Sequence, residues 1–100
     1  MPSKSQPIFP HEKRILLDLG ERIRLARLRR EMSASTLAER SSISRVTLHR
    51  AEKGAPNITI GVYLRILAAL QLVDDFNLLA KDDILGRKLQ DLELRQRRVP

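Results

Sequence analysis

A chain of 100 residues has room for one compact core. Its apolar residues, 42% of the total with only Phe9, Tyr63 and Phe76 aromatic, favour helices packed through Leu, Ile, Val and Ala. Nineteen Lys and Arg against twelve Asp and Glu give a net charge of +7, which points to a polyanionic partner, while the lack of cysteine excludes disulfides and thiolate metal sites.

His11 and His49 are too far apart in the chain to suggest a metal pair, so neither metal nor cofactor is expected. The opening MPSKSQPIFP lacks an apolar signal-peptide core, and no 18 apolar residues follow one another. Secretion and membrane spanning are not expected, and a reducing, cytoplasmic setting is. The charge is uneven: residues 1–53 carry +6 and residues 54–100 carry +1. The first half is therefore expected to face the polyanion.

Pro2, Pro7 and Pro10 make residues 1–10 read as a flexible arm. From His11 to about Glu31 the apolar residues Leu16, Leu19, Ile23 and Ala26 step along one helical face, in which Gly20 is expected to weaken or split the helix. Ser33 is an N-cap for a short second helix with Leu37 and Ala38 inward, and Ser44 an N-cap for a third, Arg45 to Lys53, that Gly54 ends in the left-handed conformation. Thr59 caps a fourth helix whose expected core face is Ile60, Tyr63, Leu64, Leu67, Ala68 and Leu70. Asp74 and Asp75 introduce a short fifth helix containing Phe76, Leu78 and Leu79. Asp82 and Asp83 introduce a last one, through about Gln96, with Leu85, Leu89 and Leu92 at helical spacing.

The stretch ASTLAERSSISRVTLHRAEKG, Ala34 to Gly54, sets two short helices around a tight turn, with Leu37, Ala38, Ile43, Leu48 and Ala51 at inward positions. Together with LGERIRLARLRR before it and the pattern T-x-x-x-x-L-x-x-I-x-x-A-L from Thr59 to Leu70 after it, the segment Leu19 to Leu72 resembles the XRE family of Cro and phage-repressor type helix-turn-helix regulators. The resemblance implies an all-α, five-helix lambda-repressor-like DNA-binding domain. An N-terminal arm (1–10) would precede that domain (11–73), and a helical extension (74–100) would follow it for dimerisation or partner contact. The chain departs from the family in three places. Ala34 stands where Gln usually helps fix a phosphate, Ser42 where Gly is frequent in the turn, and Ser41 where an apolar residue is common.

The docking mode that the resemblance implies lays the third helix in the major groove of a double-stranded operator. Helical geometry then presents Arg45, Val46, His49 and Arg50 to the bases, because Leu48 and Ala51 are committed inward. Arg45 and Arg50 suit guanine O6 and N7, Val46 a thymine methyl, and His49 a base or phosphate. Ser33, Ser44 and Thr47 at helix N-termini, with Arg27, Lys53 and Asn57, are the phosphate candidates. One short helix reads few base pairs, so a homodimer on a palindromic operator is expected, with Phe76, Leu79, Leu85, Leu89 and Leu92 as its seam or a partner's.

The tail DDILGRKLQDLELRQRR, Asp82 to Arg98, further resembles the ends of HipB-like antitoxins. That resemblance implies a repressor of its own operon that holds a HipA-type kinase toxin. The alternative within the class is a stand-alone or prophage regulator without a toxin. A protein-binding adaptor is disfavoured, since Arg45, His49, Arg50 and Lys53 face Glu52 alone. RNA binding is disfavoured by the lack of exposed stacking aromatics. No enzyme is expected, because no nucleophile–base pair, phosphate-binding glycine loop or metal cluster is evident.

Overall fold

The computed structural model describes residues 7–98, so residues 1–6 of the expected arm lie outside the described residues. The described chain is all helical, with five α-helices and a 3-10 helix.

Helix α1 spans Pro10–Arg29. It starts one residue inside the expected arm because proline suits the first helical position, where its missing N–H is not needed. The Phe9 N–H donates to Glu12 Oε1 at 3.0 Å, closing the first turn. Gly20 does not split the helix: it is buried with Ile23 and Ala26 on the inward face, which Leu16 and Leu19 extend as half-buried residues.

Helices α2 (Ala34–Arg40) and α3 (Arg45–Glu52) follow. Each is capped by a serine, whose Oγ accepts from the backbone N–H three residues on: Ser33 from Thr36 at 3.1 Å and Ser44 from Thr47 at 3.0 Å. Between them Ser42 takes φ 56°, the left-handed turn geometry usually left to glycine. The Ile43 N–H donates to the Ala38 carbonyl at 3.0 Å, so the chain reverses within a few residues. Gly54, at φ 77°, ends α3 as its position suggested.

Helix α4, Ile60–Ala69, is capped by Thr59, whose Oγ1 accepts from the Val62 N–H. Its core face differs from the expected one. Tyr63 and Ile66 are buried, as is Leu70 at its C-cap, whereas Ile60, Leu64 and Ala68 are exposed. The expected short fifth α-helix is a 3-10 helix, Val73–Leu78, that buries no residue fully. Its Phe76, assigned from sequence to a partner seam, packs half-buried against the core.

The core is therefore Ile23 and Ala26 of α1, Leu37 and Ala38 of α2, Leu48 and Ala51 of α3, and Tyr63, Ile66 and Leu70. Helix α5, Ile84–Arg98, lies outside it. Asp83 Oδ1 accepts from the Gly86 N–H at 2.9 Å and starts the helix, whose residues from Arg87 to Arg97 are all exposed. The radius of gyration, 18.4 Å against about 13 Å for a compact chain of this length, reflects this projecting rod. No helix among the described residues is long and apolar enough to cross a membrane.

Candidate nucleic-acid interface

The arrangement of α3 follows from two buried residues. Leu48 and Ala51, both fully buried, fix the inward side, so a helix of 3.6 residues per turn must present Arg45, Val46, His49 and Arg50 outward. All four are exposed, and Lys53 continues the same exposed stretch at the C-cap. Val46 is 68% exposed, an apolar side chain held in water among cations.

The only acidic residue between Arg45 and Lys53 is Glu52, and it is turned away from that face. Glu52 Oε2 accepts from Arg27 Nε at 2.8 Å and Oε1 from Arg27 Nη2 at 3.0 Å, with both side chains almost fully buried. Arg27 Nη1 also donates to the Met32 carbonyl at 3.1 Å. The hydrogen bonds to Glu52 hold the Arg27 pKa above its ordinary value; burial opposes this and the carboxylate charge adds to it. The result is a bidentate clamp between α1 and the end of α3. It leaves the outer face of α3 with cationic and neutral side chains only.

The clamp bears on one expectation. Arg27, a phosphate candidate from the sequence, directs one hydrogen each of Nε, Nη1 and Nη2 to partners inside the protein. The distance of 25 residues between the partners explains why no local pattern revealed it. Ser33 and Ser44 stand at their helix starts as expected, with their hydroxyls used for capping. Each also donates to a threonine Oγ1, Ser33 to Thr36 and Ser44 to Thr47, both at 2.9 Å. Thr47 is half-buried, Lys53 exposed. Asn57, expected on a phosphate, accepts a hydrogen bond through Oδ1 from Arg50 Nη2.

Backbone contacts set the depth of α3 against α1. A methyl group on Gly20 would stand 2.5 Å from the Glu52 carbonyl oxygen, and one on Gly54 2.8 Å from the Leu17 Cα. Two glycines thus let the helices meet backbone to backbone. On the other side of the motif Arg65 Nε donates to the Ser41 carbonyl at 3.2 Å, tying α4 to the turn. The Ser41 side chain itself is buried, and its hydroxyl has no hydrogen-bond partner among the described residues.

The expected seam residues Leu85, Leu89 and Leu92 are brought together along α5 and are between 53% and 68% exposed. Leu79 is not with them. It lines an apolar groove of about 420 Å³ between α1, α4 and the 3-10 helix, together with Leu19, Tyr63, Leu67 and Phe76.

A family model described as a helix-turn-helix domain matches residues 18–77, from the middle of α1 through the 3-10 helix. No curated protein matches the sequence.

Proposed function

Since the chain belongs to the helix-turn-helix domain family, we propose that it is a sequence-specific DNA-binding repressor that reads its operator with α3 as a homodimer. The observation that carries this proposal is the outer face of α3: Arg45, Val46, His49, Arg50 and Lys53 are exposed while the one carboxylate is clamped inward on Arg27. A helix fits a major groove about 12 Å wide, and a cationic face approaches the duplex without carrying a repelling charge.

In this mode Arg45 and Arg50 donate to guanine O6 and N7, Val46 packs on a thymine methyl, and His49 meets a base or phosphate. Lys53 and the groups at the starts of α2 and α3, Ser33, Ser44 and Thr47, lie beside the backbone and set register. Affinity comes from two copies reading half-sites about 34 Å apart, and the exposed leucines of α5 supply the contact between them. Binding, not catalysis, is the activity, and its setting is the cytoplasm.

The finer assignment is to the antitoxin of a HipA-type kinase pair that represses its own operon. It is supported by the resemblance of Asp82 to Arg98 to HipB-like tails and by the exposure of Arg87 to Arg97 within that segment.

Selection of genomic duplex fragments by the full chain, with co-purifying proteins identified from the same sample, tests both levels. A palindromic motif is expected, with a kinase in the eluate. A motif without a kinase leaves a stand-alone regulator, and absence of any motif removes the repressor. On the selected site Arg45→Ala is expected to cost about 1–3 kcal/mol and relax preference at one base pair. The affinity should fall with salt at a log–log slope of roughly −0.9 per phosphate neutralised. An equal loss on every sequence would reassign Arg45 to the backbone.

A further inference from the structure

We propose that Asn57 is a specificity-determining residue that acts through Arg50, fixing its guanidinium so that it reads a guanine edge. The inference rests on the DNA-binding proposal above. Arg50 is exposed on the outer face of α3 and takes part in none of the ion pairs among the described residues. An unrestrained arginine there carries the rotamer entropy of a long side chain and serves equally well as a general phosphate contact. What distinguishes this one is the chain reversal that follows it. Gly54 turns at φ 77°, and the Ala55 N–H donates to the Arg50 carbonyl at 3.0 Å. The next residues run back beside α3, placing Asn57 against the Arg50 side chain.

A guanidinium has five N–H donors and no acceptor, so Asn57 must offer it the amide oxygen. The contact occupies one hydrogen of Nη2. The other Nη2 hydrogen remains free beside one parallel N–H, that of Nη1 or of Nε according to which hydrogen Asn57 takes, and either pair matches guanine O6 and N7. Asn57 is also neutral. A carboxylate at this place would orient Arg50 equally well, but it would cancel its charge beside the phosphates.

The test compares the wild-type chain with Arg50→Ala, Asn57→Ala, the double variant and Asn57→Asp, on the selected operator and on duplexes substituted at each position in turn. Circular dichroism confirms folding of each variant. Arg50→Ala is expected to reduce discrimination at one base pair by about 5- to 150-fold. Asn57→Ala should relax that same base pair, by a smaller factor, with the salt slope unchanged. The double variant should match Arg50→Ala alone. Asn57→Asp should keep the base preference while weakening binding to every duplex.

An equal loss on all sequences for Asn57→Ala with a shallower salt slope would make Asn57 a phosphate ligand and overturn the proposal. Relaxation at a different base pair, or a double variant whose losses add, would do the same. A wild-type chain that prefers no duplex would overturn the DNA-binding proposal itself, an outcome distinct from failure of Asn57→Ala alone.

Discussion

Replacing Gly20 by alanine is the sharpest test of how α3 is seated. In an ordinary helix interior the change stabilises by about 1 kcal/mol, because alanine restricts the unfolded chain and suits the helix. Here the new methyl would stand 2.5 Å from the Glu52 carbonyl oxygen, 2.7 Å from that of Ala51 and 2.8 Å from the Glu52 carbonyl carbon, all backbone atoms. Restoring van der Waals distance requires α3 to retreat by roughly 1 Å, against a buried core and the Arg27–Glu52 clamp. Overpacking of this kind costs about 1–3 kcal/mol and here outweighs the helix gain. Gly61→Ala in α4 provides the control, since a methyl there meets only Thr59 Oγ1, at 4.0 Å. Thermal unfolding followed by far-UV circular dichroism should show the two variants moving in opposite directions. Gly61→Ala should raise Tm by a few degrees, and Gly20→Ala should lower it by about 4–8 °C for each kcal/mol lost. A Gly20→Ala chain as stable as Gly61→Ala would refute the close backbone approach.

Breaking the clamp by Glu52→Leu or Arg27→Met should cost about 1–3 kcal/mol in a urea titration, because each leaves a largely buried partner without its counter-charge and hydrogen bonds. The paired change Arg27→Met with Glu52→Leu should cost much less than the two single losses together, and simple additivity would mean that the residues act separately. Ser41→Ala removes a buried hydroxyl that has no partner among the described residues, so a gain of about 1 kcal/mol in the same titration is expected; a loss would reveal a bond to that oxygen. Burial raises the Tyr63 pKa, so the folded state holds the phenolic proton more tightly than the unfolded chain. The stability from that difference is complete below about pH 10, the ordinary phenol value, and is lost as pH climbs through the folded pKa. Tyr63→Phe should therefore flatten the decline of the denaturation midpoint at alkaline pH, and an unchanged slope would assign the decline to other groups.

The parts of this fold that were legible in the sequence are those decided within a few residues. Ser33, Ser44 and Thr59 cap their helices by bonding to an N–H three residues away, and Gly54 takes the left-handed conformation at the end of α3. The outward face of α3 was legible for the same reason, once Leu48 and Ala51 were placed inside. The buried face of α4 is not legible because nearly every residue from Ile60 to Ala69 is apolar, leaving no stripe to choose; packing rather than periodicity selects Tyr63 and Ile66 over Ile60 and Leu64. The role of Gly20 is not legible because local propensity is silent about a neighbouring helix whose backbone needs the space. The roles of Glu52 and Asn57 depend on partners 25 and seven residues away, across a turn whose geometry the sequence only outlines.

These long-range contacts give α1 a function that its own surface does not show. It touches α3 through the Gly20 approach, the Gly54 approach to Leu17 and the Arg27–Glu52 clamp, and all three act on the C-terminal half of α3 or the turn just after it. The N-terminal half, with Arg45 and Val46, is held instead through Leu48, the Ser44 cap and the turn bound by Arg65. Disturbing α1 should therefore act on the end of α3 that it touches, moving Arg50 farther than Arg45. If α3 reads DNA as proposed, base preference would then change first at the position met by Arg50, the residue that Asn57 contacts.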